Sequence, residues 1–179
     1  TAEDVLLQSG ATVEATGATG GGEILIGGDW QGGADSDHRV FDSADAVPEA
    51  TSVTIETGVT INASATTNGD GGTVVVWSDV SNENSVTTVA GALYAEGGEQ
   101  SGNGGKIETS GHLLNIEGVT GSAGAVNGES GLCLLDPTDI AIVDVLGDSD
   151  GVTEITTATL ESLLLNQNVS ISTGDAENA

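Results

Sequence analysis

The sequence has few aromatic residues, no methionine and a single cysteine. Phe41, Tyr94, Trp30 and Trp77 are the whole aromatic set of a chain of 179 residues. A globular core usually depends on aromatic surface, so a core here must be built from β-branched and other aliphatic side chains. Cys133 stands alone, which excludes a disulfide within the chain.

Positive charge is nearly absent: 2 Lys or Arg oppose 28 Asp or Glu, for a formal net charge of −26. Nucleic acid is excluded as a natural partner, because a phosphate backbone is bound through Lys and Arg. No apolar run approaches the roughly 18 residues of a membrane span, so membrane insertion is not expected. Dispersed acidic charge suits a secreted, extracellular or cell-surface protein, where salt and divalent cations screen self-repulsion.

Glycine is abundant, at 28 residues, which is about twice ordinary usage, and much of it lies in a repeated pattern. The pattern is a short strand, a Gly-rich turn and a second strand. The interval between copies is 32 residues from Ile61 to Leu93 and 26 residues from Leu93 to Val119. These lengths are typical of one coil of a solenoid. The four copies begin at Val13, Ile61, Leu93 and Val119.

The repeat predicts one all-β domain over residues 1–179, a parallel β-solenoid. Stacked coils pair their backbones at about 4.8 Å, and glycine supplies the sharp corners between strands. Columns of Val, Ile and Leu then fill a narrow interior, which accounts for the shortage of aromatic residues. Asn-Gly and Asp-Gly pairs also occur in antiparallel hairpins, so a β-sandwich is the alternative.

Two stretches interrupt the repeat. Residues 33–50 are acidic and contain Pro48, which predicts a loop inserted between coils. Residues 157–166 contain three leucines at helical spacing, with Thr157 as a candidate N-cap. They predict a short helix over the edge of the solenoid, followed by one more strand and a polar tail at 173–179.

Four motifs occur in an order that resembles a known family. The motifs are GATGGGEILIGGDWQG at 17–32, NGDGGTVVVWSD at 68–79, GNGGKIETSGHLLNIEG at 102–118 and GLCLLDPTDIAI at 131–142. In this order they resemble the large exoproteins of the filamentous haemagglutinin type, which are exported by two-partner secretion. The resemblance implies a right-handed parallel β-helix, an extracellular location and an adhesive or matrix-forming role. The family's amino-terminal secretion domain is not among these motifs, so the likeness is to an internal or C-terminal segment.

Calcium is the one cofactor that the sequence suggests. Asp35 and Asp37, and again Asp148 and Asp150, place carboxylates two residues apart in loops, and carboxylate oxygens are the ligands that Ca²⁺ prefers. The alternative is an acidic loop that is simply solvated. Zinc is not expected, because too few His and Cys residues are present to form a site.

Trp30 and Trp77 follow equivalent strands of two repeats. If exposed, they would stack on sugars and make the chain a carbohydrate-binding adhesive module. The alternative is that they pack at the end of the inner row or under the inserted loop. No catalytic residue is predicted, because no carboxylate pair suited to sugar cleavage stands out beside Lys106 or Arg39.

The Asp136–Pro137 pair follows an apolar strand. An Asp before a Pro commonly starts a turn, which is the interpretation we favour. Spontaneous cleavage of this peptide bond is the alternative.

The ends of the chain predict self-association. A solenoid exposes strand edges at both ends, and contacts that do not close on themselves produce filaments. We therefore expect a structural subunit of a surface or matrix filament or adhesin that joins head to tail and is not an enzyme. A carbohydrate-binding module, calcium-dependent or not, with extracellular polysaccharide as partner, is the second hypothesis. The candidate contact residues are Val5, Leu6, Leu7, Val169 and Ile171.

Overall fold

The computed structural model describes residues 3–33, 47–147 and 151–173. Over these residues the chain forms fifteen β-strands and one α-helix. In chain order they are β1 Asp4–Leu7, β2 Thr12–Glu14, β3 Glu23–Ile26, β4 Ser52–Ile55, β5 Thr60–Asn62, β6 Thr73–Trp77, β7 Val86–Val89, β8 Ala92–Tyr94, β9 Lys106–Gly111, β10 Leu113–Asn115, β11 Thr120–Ser122, β12 Leu132–Pro137, β13 Ile140–Val143, β14 Thr153–Thr156, α1 Thr157–Leu164 and β15 Asn168–Ile171.

Every ladder between the strands of the described residues is parallel. The first sheet has the order β1-β4-β7-β10, the second β2-β5-β8-β11, and the third β3-β6-β9-β12-β15, while β13 pairs with β14. Consecutive strands therefore form units of three, β1–β3 to β10–β12, and each unit pairs with the next. The all-β, parallel prediction is confirmed, and the antiparallel sandwich is excluded.

The interior consists of aliphatic columns, as the aromatic shortage predicts. In the third sheet Ile24, Val74, Ile107, Cys133 and Val169 follow one another in register. All five belong to the main apolar cluster, Val169 as a partly buried member. Because side chains alternate between the two faces of a strand, the residues between them point outward.

The boundaries of the repeat are confirmed for three of its four copies. Val13, Ile61 and Leu93 are register partners in the second sheet. The fourth boundary is wrong, because Gly121 rather than Val119 lies opposite Leu93. Gly121 has a φ of +128°, and a Cβ built on it would lie 1.8 Å from the Leu93 carbonyl oxygen. Only glycine fits this position, so a search for apolar residues passes over it.

The predicted short helix is confirmed as α1. Its N-cap is Thr156 rather than Thr157, since the Thr156 hydroxyl accepts a hydrogen bond from the Thr159 backbone N–H at 3.1 Å. Leu163 is buried in the interior cluster, and the helix packs against β11, β14 and β15. The helix therefore takes the place of a second-sheet strand after the last complete unit and closes the interior there.

The predicted insertion lies between β3 and β4. Ala50 N donates to Gly27 O at 2.8 Å, so the chain returns to the place where it left the third sheet. Positions 34–46 of the predicted loop, and 174–179 of the predicted tail, lie outside the described residues.

Candidate functional site on the outer face of the third sheet

The outer face of the third sheet carries buried side chains where alternation predicts exposure. Val75, Glu108 and Leu134 are register partners on β6, β9 and β12, and all three are buried. Trp30 and Trp77 pack with Val75 and Leu134 in an apolar cluster separate from the interior. We call the polar part of this region, with its two indoles, the covered patch; it comprises Asp29, Trp30, Gln31, Trp77, Glu108, Ser110 and Asp136.

Glu108 has none of its surface exposed. The Gln31 backbone N–H donates to its Oε2 and the Ser110 hydroxyl donates to its Oε1, each at 2.9 Å. Desolvation raises the pKa of Glu108 from 4.5 to about 8; the charges of Asp136 and Asp29 add to this, and the two hydrogen bonds oppose it. Burial outweighs hydrogen bonding here, so Glu108 is protonated at neutral pH.

The cover over Glu108 is a turn in an uncommon backbone conformation. Gln31 has φ 48° and ψ 43°, a left-handed conformation that costs on the order of 1–3 kcal/mol for a residue other than glycine. This conformation directs the Gln31 N–H to Glu108. Gly28 allows the chain to lie against the indole below it, since a Cβ at Gly28 would lie 2.3 Å from Trp77 Cδ1. The turn is therefore fitted to both the carboxyl and the ring.

Two further carboxyls border Glu108. Asp29, 5% exposed, accepts the Trp30 backbone N–H at 2.8 Å. Asp136, 8% exposed, accepts a hydrogen bond from Ser172, and burial raises its pKa. The Oδ1 atom of Asp136 is buried without a hydrogen-bond partner. The covered patch thus places the neutral carboxyl of Glu108 near a desolvated carboxyl oxygen of Asp136.

Comparisons with known proteins do not assign the chain to a family. The chain matches no protein-family model and no curated protein. Among the described residues, no helix combines the length and apolar character that crossing a bilayer requires. Function must therefore be inferred from contacts, burial and charge.

The two tryptophans predicted to bind sugars are buried, with Trp30 6% and Trp77 2% exposed. Lys106 Nζ lies 5.1 Å from the centroid of the Trp30 ring, a cation–π contact. Trp77 lies beneath Gly28. Their burial favours the packing alternative, because neither side chain leaves a free ring face on which a sugar could stack.

Sequence reasoning did not single out Glu108. In the stretch from Lys106 to Ser110, alternation places Glu108 on the outer face, where a carboxylate is normally solvated. Its cover is contributed by Gln31, 77 positions away, and no local pattern reports such a contact. The only features of the sequence that pointed to a covered outer face were the Gly-rich segment around Trp30 and the position of Trp77.

The four aspartates predicted to bind calcium, Asp35, Asp37, Asp148 and Asp150, lie outside the described residues. Within residues 3–33, 47–147 and 151–173, no group of three or more His, Cys, Asp or Glu side chains is arranged to hold a metal. Calcium binding stays a prediction.

A groove of about 630 Å³ runs along the connections between the second and third sheets. We call it the polar groove; its walls come from the connections that follow β5, β8, β11 and α1. Ser64 Oγ accepts the Glu96 N–H, and Ser122 Oγ accepts the Gly124 N–H, each at 2.9 Å. These bonds hold the walls in place, while the Glu96 and Glu99 side chains are exposed.

The residues predicted to associate lie on edge strands. β1 and β15 each pair with a single strand. Val5 and Leu7 are half-buried and pack against the interior cluster, whereas Leu6 is 53% exposed. At the other end Val169 is half-buried and Ile171 is 36% exposed. Both edges thus present backbone groups and aliphatic side chains together.

Proposed function

We propose that this protein is a secreted, extracellular structural protein of the filamentous haemagglutinin type, a β-helix subunit that associates head to tail. The proposal combines the resemblance of the four motifs with the parallel sheets and the character of the two ends. A catalytic role is not part of it.

The order of strands supports a right-handed parallel β-helix. Each of the three sheets takes every third strand, so successive units of three strands stack as the coils of such a helix would. Parallel strands in one sheet are joined by right-handed crossovers in nearly all known cases. The coils would give a stiff rod whose length grows with the number of repeats.

The observation that carries head-to-tail association is the distribution of exposed aliphatic side chains. Of the nine large ones exposed in the described residues, seven lie on β1 or after the last complete unit. The sides of the stack are polar and acidic by comparison. Exposed apolar surface concentrated in patches marks interaction sites. The seven are Leu6, Ile142, Val145, Leu146, Leu164, Leu165 and Ile171.

The two free edges of the third sheet suit this mode of contact. β3 is its edge strand at one end and β15 at the other. If β15 of one subunit adds to β3 of the next, the sheet continues through main-chain hydrogen bonds. Such a contact joins two different surfaces and does not close, so it extends into a filament. Because α1 closes the interior beside β15, this sheet edge would make the main-chain contact, and the exposed aliphatic side chains at the two ends, Leu6 among them, would pack around it.

We expect Leu6→Asp to shorten or abolish filaments, because it places a charge in the apolar end surface. Val86→Asp is the matched control, since Val86 is exposed on β7, which lies between β4 and β10 within the first sheet, and the charge change is the same. Sedimentation velocity and negative-stain electron microscopy measure the result. We expect at least a tenfold drop in mean assembly mass for Leu6→Asp and none for the control. A native chain that stays monomeric at high concentration would contradict the proposal.

The polar groove favours a second candidate function, a carbohydrate-binding adhesive module. Its volume lies within the range of small-molecule sites, and its exposed carboxyls are hydrogen-bond acceptors for sugar hydroxyls. This candidate moves the site away from Trp30 and Trp77, which are buried. The partner would be a neutral extracellular polysaccharide, because an anionic one would be repelled by the chain's net charge of −26.

If the groove binds sugar, Glu96→Ala should weaken binding by at least tenfold on a glycan array or by calorimetry. Glu83→Ala is the control, since Glu83 is an exposed glutamate that does not line the groove. A chelator added in parallel tests the calcium sites predicted at Asp35, Asp37, Asp148 and Asp150. Equal binding by both variants, or none by the native chain, would refute this candidate.

A further inference from the structure

The Asp136–Pro137 bond lies at the end of β12, within the covered patch. Asp136 and Pro137 are register partners of Ser110 and Gly111 on β9, and both are buried. The Oδ1 atom of Asp136 has no hydrogen-bond partner. A carboxylate oxygen without hydrogen bonds is a better nucleophile than a solvated one, because no partner must be displaced before it reacts.

A proton donor lies beside this bond. Glu108 is fully buried and is kept neutral at pH 7 by desolvation. Ser110 bonds Glu108 through its hydroxyl at 2.9 Å and is itself the register partner of Asp136. Glu108 and Ser110 therefore form a short hydrogen-bonded chain that leads from a protonated carboxyl toward the Asp136–Pro137 bond.

We propose that the covered patch cleaves the Asp136–Pro137 peptide bond of its own chain. The side-chain carboxylate of Asp136 attacks its own main-chain carbonyl carbon and closes a five-membered cyclic anhydride. The C–N bond to Pro137 breaks, and the proline nitrogen leaves as a secondary amine. The Ser110 hydroxyl, which donates to Glu108 Oε1 in the resting structure, turns over for this step: it gives its proton to the proline nitrogen and takes one from the Glu108 carboxyl. One water then opens the anhydride, which restores the Asp136 side chain, leaves a new α-carboxyl and returns a proton to Glu108.

The residue types suit both the attack by the Asp136 carboxylate and the departure of the Pro137 nitrogen. Proline is the most basic of the amide leaving groups in a peptide chain, because its nitrogen carries two alkyl substituents and no hydrogen. Burial excludes bulk water during ring closure, which keeps the carboxylate reactive. Glu108 acts as a general acid that is still protonated at neutral pH, and it ends the cycle unchanged.

The two products would stay together after cleavage. β15 belongs to the second fragment and pairs with β12 of the first, and α1 packs against β11. A native measurement of size would therefore not detect the cut, whereas an intact-mass measurement under denaturing conditions would show fragments 1–136 and 137–179.

The test is to incubate the folded full-length chain at pH 7 and to follow the two fragments by denaturing mass spectrometry. We expect Asp136→Ala to abolish cleavage and Glu108→Gln, which is isosteric with the protonated acid, to slow it at least tenfold. Asp139→Asn is the control, since Asp139 is exposed three residues further on and should leave the rate unchanged.

Asp-Pro bonds also break slowly in unfolded chains, so the same incubation is repeated in denaturant. The proposal requires the folded chain to be cut at least ten times faster than the unfolded one. Equal rates in the two states, a Glu108→Gln rate equal to that of the native chain, or an intact mass that does not change would each overturn it. Near-ultraviolet circular dichroism of each variant confirms that the fold is retained.

Discussion

Replacing Glu108 with glutamine is expected to stabilise the protein at alkaline pH by on the order of 4–5 kcal/mol. The native carboxyl has its pKa raised from 4.5 to about 8 by desolvation, and each pH unit between these two values costs about 1.4 kcal/mol. Glutamine has the shape of the protonated acid and cannot ionise; its Oε1 can accept the Gln31 N–H, and its Nε2 can donate to the Ser110 hydroxyl oxygen once that hydroxyl turns over. The measurement is the free energy of unfolding from urea titrations between pH 4 and pH 9.

The direction of the effect follows from proton binding. Between pH 4.5 and about 8 the folded chain holds a proton on Glu108 that the unfolded chain has released. The contribution of Glu108 to the free energy of unfolding is fully present below pH 4.5 and is lost as the pH rises from there through about 8. Burial raises the pKa of Asp136 as well, so its contribution has the same sign. The native protein should therefore unfold more easily as the solution becomes alkaline.

Glu23→Gln is the matched control for this prediction. Glu23 is an exposed glutamate on β3 of the same sheet, so removing its charge should not reproduce the gain in stability expected of Glu108→Gln. Tryptophan fluorescence gives a second readout, because Trp30 and Trp77 lie in the covered patch. Parallel stability curves for the native chain and Glu108→Gln would show that Glu108 is not buried as described.

Replacing Gly121 with alanine is expected to destabilise the fold by about 2–6 kcal/mol. The φ of +128° strains any L side chain, and the new Cβ would lie 1.8 Å from Leu93 O. Backbone strain costs on the order of 1–3 kcal/mol, and overpacking typically adds 1–3 kcal/mol. Because the oxygen belongs to the neighbouring unit, the clash would separate β11 from β8. Urea unfolding followed by circular dichroism measures the loss.

Gly10→Ala separates the two causes. Gly10 has a φ of +88°, but a Cβ built there meets no atom within 4 Å. Gly10→Ala should therefore lose only the stability that backbone strain costs, about 1–3 kcal/mol. If the two alanine variants were equally stable, close stacking at Gly121 would contribute nothing, and the register of β11 on β8 would be in doubt.

Local residue patterns predicted the elements that depend on neighbours in the chain. The strand, Gly-rich turn and second strand of each repeat follow from alternation and from the conformational freedom of glycine. α1 follows from three leucines at helical spacing, although the cap lies one residue earlier, at Thr156. The fourth repeat boundary failed because Gly121, which carries no side chain, stands where the pattern requires an apolar residue.

The sequence by itself determined that the chain is mostly β and filled by aliphatic side chains, because these properties come from composition and short-range periodicity. It favoured parallel stacking but left an antiparallel sandwich open, and the tertiary structure decided between them because strand pairing joins residues far apart in the chain. Only the tertiary structure decided that the outer face of the third sheet is covered. Alternation assigns Glu108 to a face but not to a solvent environment. Its burial depends on Gln31, 77 positions away in the chain, and desolvation by that contact is what changes the chemistry of its carboxyl.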